Sequence, residues 1–290
     1  MTADAAESPP VKPMPLSSSS SASLLLPDAT ESPPVKPISQ HIPQCGGFRE
    51  WIAWRHPFPV GSLRAVLFDF DHTLSDTVLR FAEMRRKGLA ALARFADVDE
   101  DRSMPFMEQM AGILASLPPA SAAEAERAAL SAVKTVEVAA ARRSRLFPYT
   151  RPILAALRAR GTASAVITRN CPEAVYAVFP DLDEYCACVL TREHVAHVKP
   201  HPEHIGTALE RLGCAARQAL TVGDHVMDVE AGKRAGTRTA AVLTGESGFA
   251  ELAAASPDIT AQNAGALMRG LGLLRHPDRA RATEIHVKEH

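Results

Sequence analysis

Asp69 and Asp71 stand two residues apart at the end of an apolar, β-rich run, Arg64–Phe70. Carboxylates so spaced face a similar direction while the chain stays extended. Buried this close they repel, so a divalent cation or a proton must compensate them. A surface pair in a turn is the alternative, and the strongly apolar run before them disfavours it. A second acidic group follows another apolar run, in Val222-Gly223-Asp224 and on to Asp228. Gly223 permits a tight turn or close backbone approach there, and Asp228 is placed to cap the helix that ends near Gly236. Thr168-Arg169-Asn170 ends a third run, where a hydroxyl and successive backbone N–H groups can cradle a phosphoryl oxygen. Lys199-Pro200 follows a fourth, where an ammonium can neutralise carboxylates or phosphate while proline fixes the turn.

These groups need a scaffold that gathers them. From residue 63 short apolar runs alternate with helical patterns. Strands are expected at Arg64–Phe70, Ala163–Thr168, Ala187–Leu190, Ala219–Val222 and Thr239–Leu243. Between them, Ile153, Leu154 and Leu157 mark a helix that Thr150 can cap and Gly161 can end. Ile205, Ala208, Leu209 and Leu212 mark another, stopped at Gly213. Strands alternating with helices point to right-handed crossovers and a parallel sheet, with ligands at the carboxyl ends of its strands. The alternation breaks over residues 76–147, which hold no convincing strand and are rich in Ala, Leu, Met, Glu and Arg. Phe81, Met84, Leu89, Leu92 and Phe95 share one helical arc there. This interval reads as an inserted helical subdomain.

The order of the four groups resembles the haloacid dehalogenase-like hydrolase superfamily. Asp69, Asp71 and Thr73 match its first motif, Thr168 its second, Lys199 its third, and Gly223, Asp224 and Asp228 its fourth. Val222–Gly236 and Val198–Glu203 resemble the phosphoglycolate phosphatase-like branch, and the likeness spans about residues 63–273. It implies a doubly wound, Rossmann-like α/β core over 63–75 and 148–274, with the insertion at 76–147 as a helical cap. It also implies a magnesium-dependent phosphatase acting on a small phosphorylated metabolite, phosphoglycolate-like or a sugar phosphate. In that family Asp69 would be the nucleophile and Asp71 the acid and base. Thr168 and Lys199 would bind the transferring phosphoryl group; Thr73, Arg169 and Asn170 are expected near the substrate, although relatives often carry Gly or Asn where His72 and Arg169 stand. Asp69, the backbone carbonyl of Asp71, and Asp224 would hold Mg2+, supported by Asp228. An acidic residue at position 71 favours oxygen–phosphorus cleavage. Sugar phosphomutases share it, so a mutase remains an alternative, as does a non-catalytic phosphate-binding scaffold.

Composition sets the remaining bounds. The chain has 290 residues, 46 % of them apolar, which suffices for a sizeable core. A formal charge of −1 implies no bulk attraction to nucleic acid or anionic membrane. No apolar run is long enough to span a bilayer. The five cysteines lack paired zinc spacing, and a reduced, cytoplasmic setting is expected. Residues 1–47 are rich in Ser and Pro, lack Arg and repeat ESPPVKP at Glu7–Pro13 and Glu31–Pro37. They read as a disordered extension with a possible ligand for a Pro-motif-binding domain. Phe48, Trp51 and Ile52 fall on one helical face, so 48–62 reads as a linker or docking helix. Residues 275–290 read as a charged tail. His194, His197, His201 and His204 read as turn and surface histidines, and Arg85-Arg86-Lys87 as a solvated face able to help hold an anionic substrate.

Overall fold

The computed structural model describes residues 50–275. The Ser/Pro-rich extension, its repeats and nearly all of the charged tail lie outside the described residues. The chain begins with β1 (Ile52–Trp54), β2 (Ala65–Phe68) and β3 (Ser75–Asp76). Three helices follow, α1 (Phe81–Leu92), α2 (Phe106–Ala115) and α3 (Pro119–Ala141), then β4 (Arg145–Leu146). The alternating part runs α4 (Thr150–Ala159), β5 (Ala163–Ile167), α5 (Pro172–Val178), β6 (Cys188–Leu190) and α6 (Glu203–Leu212). It ends with β7 (Ala219–Gly223), α7 (Val226–Arg234), β8 (Arg238–Val242), α8 (Phe249–Ala254), β9 (Ile259–Ala261) and α9 (Ala264–Gly270).

The main sheet has the order β1-β9-β8-β7-β2-β5-β6 and is parallel except for β1. From β2 the chain winds outward through β5 and β6, then crosses back to β7 on the other side of β2. The doubly wound α/β fold expected from the sequence is therefore present, and all five expected strands form. Period-two alternation explains the layering. Val66 and Phe68 of β2 join a core with Ile153 and Leu154 of α4, Val175 of α5 and Leu267 of α9. Ala65 and Leu67 face the opposite side, against Ile205 and Leu209 of α6 and Ala231 of α7. With both faces covered, β2 is fully buried and reads as a continuous apolar run.

Three local expectations are corrected. Within 48–62, which reads from the sequence as a linker or docking helix, Ile52, Ala53 and Trp54 form an edge strand paired antiparallel with β9. Two large aromatic residues and one β-branched residue suit a half-buried strand at least as well as a helical face. Residues 76–147 do carry strand at their borders, because β3 and β4 form a two-stranded ribbon, Ser75 with Leu146 and Asp76 with Arg145. Thr150 opens α4 rather than capping it, and its hydroxyl donates to the Leu74 carbonyl at 2.5 Å. Gly161 and Gly213 take positive φ at the ends of α4 and α6, as their positions suggest.

Helices α1, α2 and α3 have a core of their own, built by Leu89, Leu92, Phe106, Met110 and Val133. Helix α3 also reaches down to α5, where Ala141 packs with Cys171 and Ala174. Beside that contact a buried ion pair joins Glu137 of α3 to Arg192, just past β6, at 2.6 Å. Among the described residues no helix is long and apolar enough to cross a membrane.

Candidate active site

Asp69 follows β2 directly, and the turn after it reverses the chain within a few residues. Ser75 N–H donates to the Phe70 carbonyl and His72 N–H to the Ser75 carbonyl. His72 sits at φ 60°, a left-handed conformation unusual for a residue with a side chain. This tight turn places Asp69 and Asp71 at the carboxyl edge of the sheet, at the point where the winding changes direction. Such a crevice is where open α/β sheets bind ligands.

Asp69, Asp224 and Asp228 converge there, with carboxylate oxygens within 4.8 Å of one another. Lys199 is the hub. Its Nζ lies 2.6 Å from Asp69 Oδ1 and 2.6 Å from Asp228 Oδ1, and only 2 % of its side chain is exposed. Burial alone would lower the Lys199 pKa, but the Asp228 and Asp69 carboxylates outweigh it and hold the ammonium charged. Burial pushes the Asp69 carboxyl up to about 7 despite Lys199, with Asp228 and Asp71 adding repulsion. Asp224 is likewise raised, by burial first and then by Asp69 and Asp228. Three carboxylates around one ammonium leave an excess of two negative charges if all are ionised, which protons or a divalent cation must relieve.

The Asp71 carboxylate turns away from this cluster. Thr77 Oγ1 donates to its Oδ1 at 2.8 Å, and Asn170 Nδ2 donates to its Oδ2 at 3.1 Å. Thr168 Oγ1 lies 3.5 Å from the same Oδ2 and accepts from the Asn170 N–H at 3.0 Å. Asp69, Asp71, Thr168, Arg169, Asn170, Lys199, Asp224 and Asp228 thus meet at one cavity of about 620 Å³.

Two expected placements differ. Thr73, expected near the substrate, is fully buried, and its hydroxyl donates to Asp224 Oδ1 at 3.0 Å. It steadies a carboxylate and does not line the cavity. Asp228 caps α7 from inside its first turn, as the third residue of a capping box and not as the N-cap residue. His225 takes that place, its N–H donating to Asp228 Oδ2 at 3.1 Å while its Nδ1 accepts from the Met227 N–H. Both oxygens of Asp228 are therefore already engaged, one by Lys199 and one by His225. Of the clustered histidines, His204 is buried, whereas His197 and His201 gather with Glu203 on the surface, His197 Nδ1 lying 2.6 Å from Glu203 Oε2.

Several neighbours were not singled out from the sequence. Thr77 orients Asp71. Glu108 of α2 pairs with Arg169 of the cavity lining at 2.9 Å. Arg192 donates to the Arg169 carbonyl at 3.1 Å while pairing with Glu137. These contacts join residues far apart in the chain, and no local pattern announces them. Gly245 had a local signal, a glycine soon after an apolar strand. A Cβ there would fall 1.8 Å from Asp224 Oδ2, so only glycine lets the carboxylate keep its place. The donor set of the cluster is all oxygen, the hard ligand set that Mg2+ takes, and its excess negative charge suits a dication.

The sequence profile described as haloacid dehalogenase-like hydrolase matches residues 66–242. A protein called pyrophosphatase PpaX from Bacillus cereus (strain AH820) is 48 % identical over 77 residues, covering 27 % of this chain and 36 % of that one. The chain spans less than half the length of the curated relatives it matches. A putative haloacid dehalogenase-like hydrolase from Bacteroides fragilis superposes with a TM-score of 0.55 at 21 % identity, covering 71 % of this chain and 99 % of that one. CbbY from Rhodobacter sphaeroides in complex with phosphate superposes with a TM-score of 0.53 at 23 % identity, covering 72 % and 99 %. At such identities these likenesses establish the shared fold.

Proposed function

The chain belongs to the haloacid dehalogenase-like hydrolase family, and on that premise we propose that it hydrolyses phosphomonoesters with Mg2+, through an aspartyl-phosphate on Asp69. The observation that carries the proposal is the Lys199 ammonium set between Asp69 and Asp228. Lys199 occupies Asp69 Oδ1 and leaves Oδ2 to attack phosphorus. As that oxygen bonds to phosphorus, the bond from phosphorus to the ester oxygen breaks, and Asp71 gives the departing alcohol its proton. Asp71 then takes a proton from water, the water oxygen attacks the phosphoryl group, and inorganic phosphate leaves with Asp69 restored. Thr77 and Asn170 fix the Asp71 carboxylate for both transfers. The Thr168 hydroxyl, which accepts from the Asn170 N–H, donates its own proton to a phosphoryl oxygen, where negative charge must be stabilised.

Mg2+ would be held by Asp69, the Asp71 backbone carbonyl and Asp224, with Asp228 in support, and would screen the repulsion between carboxylate and phosphate. Asp228 acts chiefly through Lys199, which it anchors. The test is phosphate release from phosphomonoesters in Mg2+ by the parent chain and by Asp69→Asn. The parent is expected to release phosphate and the variant none, with the fold intact by circular dichroism. Substantial turnover by the variant would mean that another group attacks phosphorus. Accumulation of an isomerised sugar phosphate in place of free phosphate would mark a mutase.

A further inference from the structure

The wall of the cavity facing the carboxylates is apolar. Leu79, Phe81, Met84, Met104, Phe106 and Met107 line it. Phe81 is 37 % and Met104 42 % exposed, a large apolar rim that a bound molecule would cover. At about 620 Å³ the space is of the size that takes a drug-sized ligand, far larger than a glycolate or a second phosphate needs.

Apart from Arg102 at the rim, the cations that line the cavity are already paired. Arg85 donates to the Met104 carbonyl at 2.7 Å, to the Asp101 carbonyl and to Gln109, and lies 3.5 Å from Glu100. The expected role of Arg85 in holding an anionic substrate is therefore corrected, because it ties α1 to the segment before α2. Arg169 pairs with Glu108, Arg192 with Glu137, and Lys199 with Asp69 and Asp228. Arg102 lies 3.4 Å from Glu100 and is largely exposed. Glu246 and Glu251 add uncompensated negative charge at the cavity. A second anionic group on the substrate would thus find, among the described cations of the lining, only Arg102 with donors to spare, out at the exposed rim beside Glu100. A polyol would set its hydroxyls against thioethers and a phenyl ring, leaving them unpaired.

We propose that the site takes the phosphate monoester of an alcohol with a neutral, apolar body, in preference to phosphoglycolate, pyrophosphate or a sugar phosphate. This rests on the hydrolase reading above and names its leaving group. The phosphoryl group sits at Asp69, the ester oxygen beside Asp71, and the apolar body lies under α1 and α2 against Met84 and Phe106. Thioethers adapt their shape to an irregular ligand surface.

The test compares alkyl esters, so that the intrinsic reactivity of the leaving groups differs little. In Mg2+, kcat/KM for 2-phenylethyl phosphate should exceed that for glucose 6-phosphate or phosphoglycolate on the order of 30-fold, from roughly 80 Å² of apolar surface leaving water. The double variant F81S/M104S changes two part-exposed positions and should cut that ratio at least about threefold, chiefly through KM. Binding of 2-phenylethylphosphonate and phosphonoacetate, measured by calorimetry on the full chain, separates the two ideas. Equal or faster turnover of phosphoglycolate or the sugar ester would overturn the apolar class and leave the hydrolase standing. An unchanged ratio in the double variant would likewise overturn it. No turnover of any ester, with 2-phenylethylphosphonate still bound much more tightly, would uphold the apolar cavity and sink the hydrolase. Neither turnover nor preference would overturn both.

Discussion

Lys199→Met replaces the ammonium with an uncharged side chain of similar length. In the parent, Lys199 Nζ lies 2.6 Å from each of two carboxylates, and the side chains of Lys199, Asp228 and Asp69 are 2 %, 3 % and 12 % exposed. Water can replace little of the lost attraction. Removing one partner of a buried pair typically costs about 3–5 kcal/mol, because the remaining charge stays buried and uncompensated. For a domain of this size each kcal/mol moves the melting temperature by about 2–4 °C. In chelator the variant should therefore melt about 6–20 °C below the parent. A dication binding the same carboxylates should return part of this, about 2.7 kcal/mol at a hundredfold excess over its Kd. The assay is thermal unfolding of both proteins in EDTA and across a Mg2+ titration. A variant melting within about 2 °C of the parent in EDTA, a difference worth about 1 kcal/mol or less, would refute the charge balance described here. So would a Mg2+ stabilisation no larger for the variant than for the parent.

Gly245→Ala should displace Asp224 and weaken Mg2+ binding at least about tenfold, as losing the support of a metal ligand commonly does. Calorimetric titration would show it, with the far-ultraviolet circular dichroism unchanged. His204 should make the fold acid-sensitive. Burial first, and then the Lys199 charge, lowers its pKa to about 3, so it is neutral when folded at any moderate pH. The unfolded chain takes up the proton near pH 6.5, so stability is full above that point. Below it stability falls by about 1.4 kcal/mol per pH unit until the folded pKa is reached. Urea unfolding between about pH 6 and 4.5, inside the span of that loss, should show a slope shallower by one proton in His204→Gln. Equal slopes would assign the proton uptake elsewhere.

The strands were legible because Ala65–Phe68 and Ala219–Val222 are short apolar runs with no helical period, and because buried parallel strands need to be apolar on both faces. The convergence of Asp69 and Asp224 followed from each standing just after such a run, whereas Lys199 stands well past the end of β6 at Leu190 and was placed by the family's third motif. What stayed hidden was decided by contacts between distant segments. Trp51 and Ile52 read as part of a helical face until β9 supplied an edge to pair with. Thr73 has the residue type of a phosphate ligand, and only the packing of Asp224 above it shows that its hydroxyl points inward. Glu137 lies on an alanine-rich helix with nothing nearby in sequence to mark it. Its meaning depends on Arg192, which reaches it only after α3 has folded back onto α5. Arg85 looked free for substrate because two of its four partners are backbone carbonyls, which sequence does not display.

Whether Asp69 carries the phosphoryl group can be read directly. During turnover in Mg2+ the reaction is quenched rapidly in acid, reduced with borohydride to fix any acyl phosphate, and mapped by peptide mass. Reduction should mark Asp69 alone, and the mark should vanish in chelator. A mark on a different residue, or none while phosphate is steadily released, would contradict attack by Asp69.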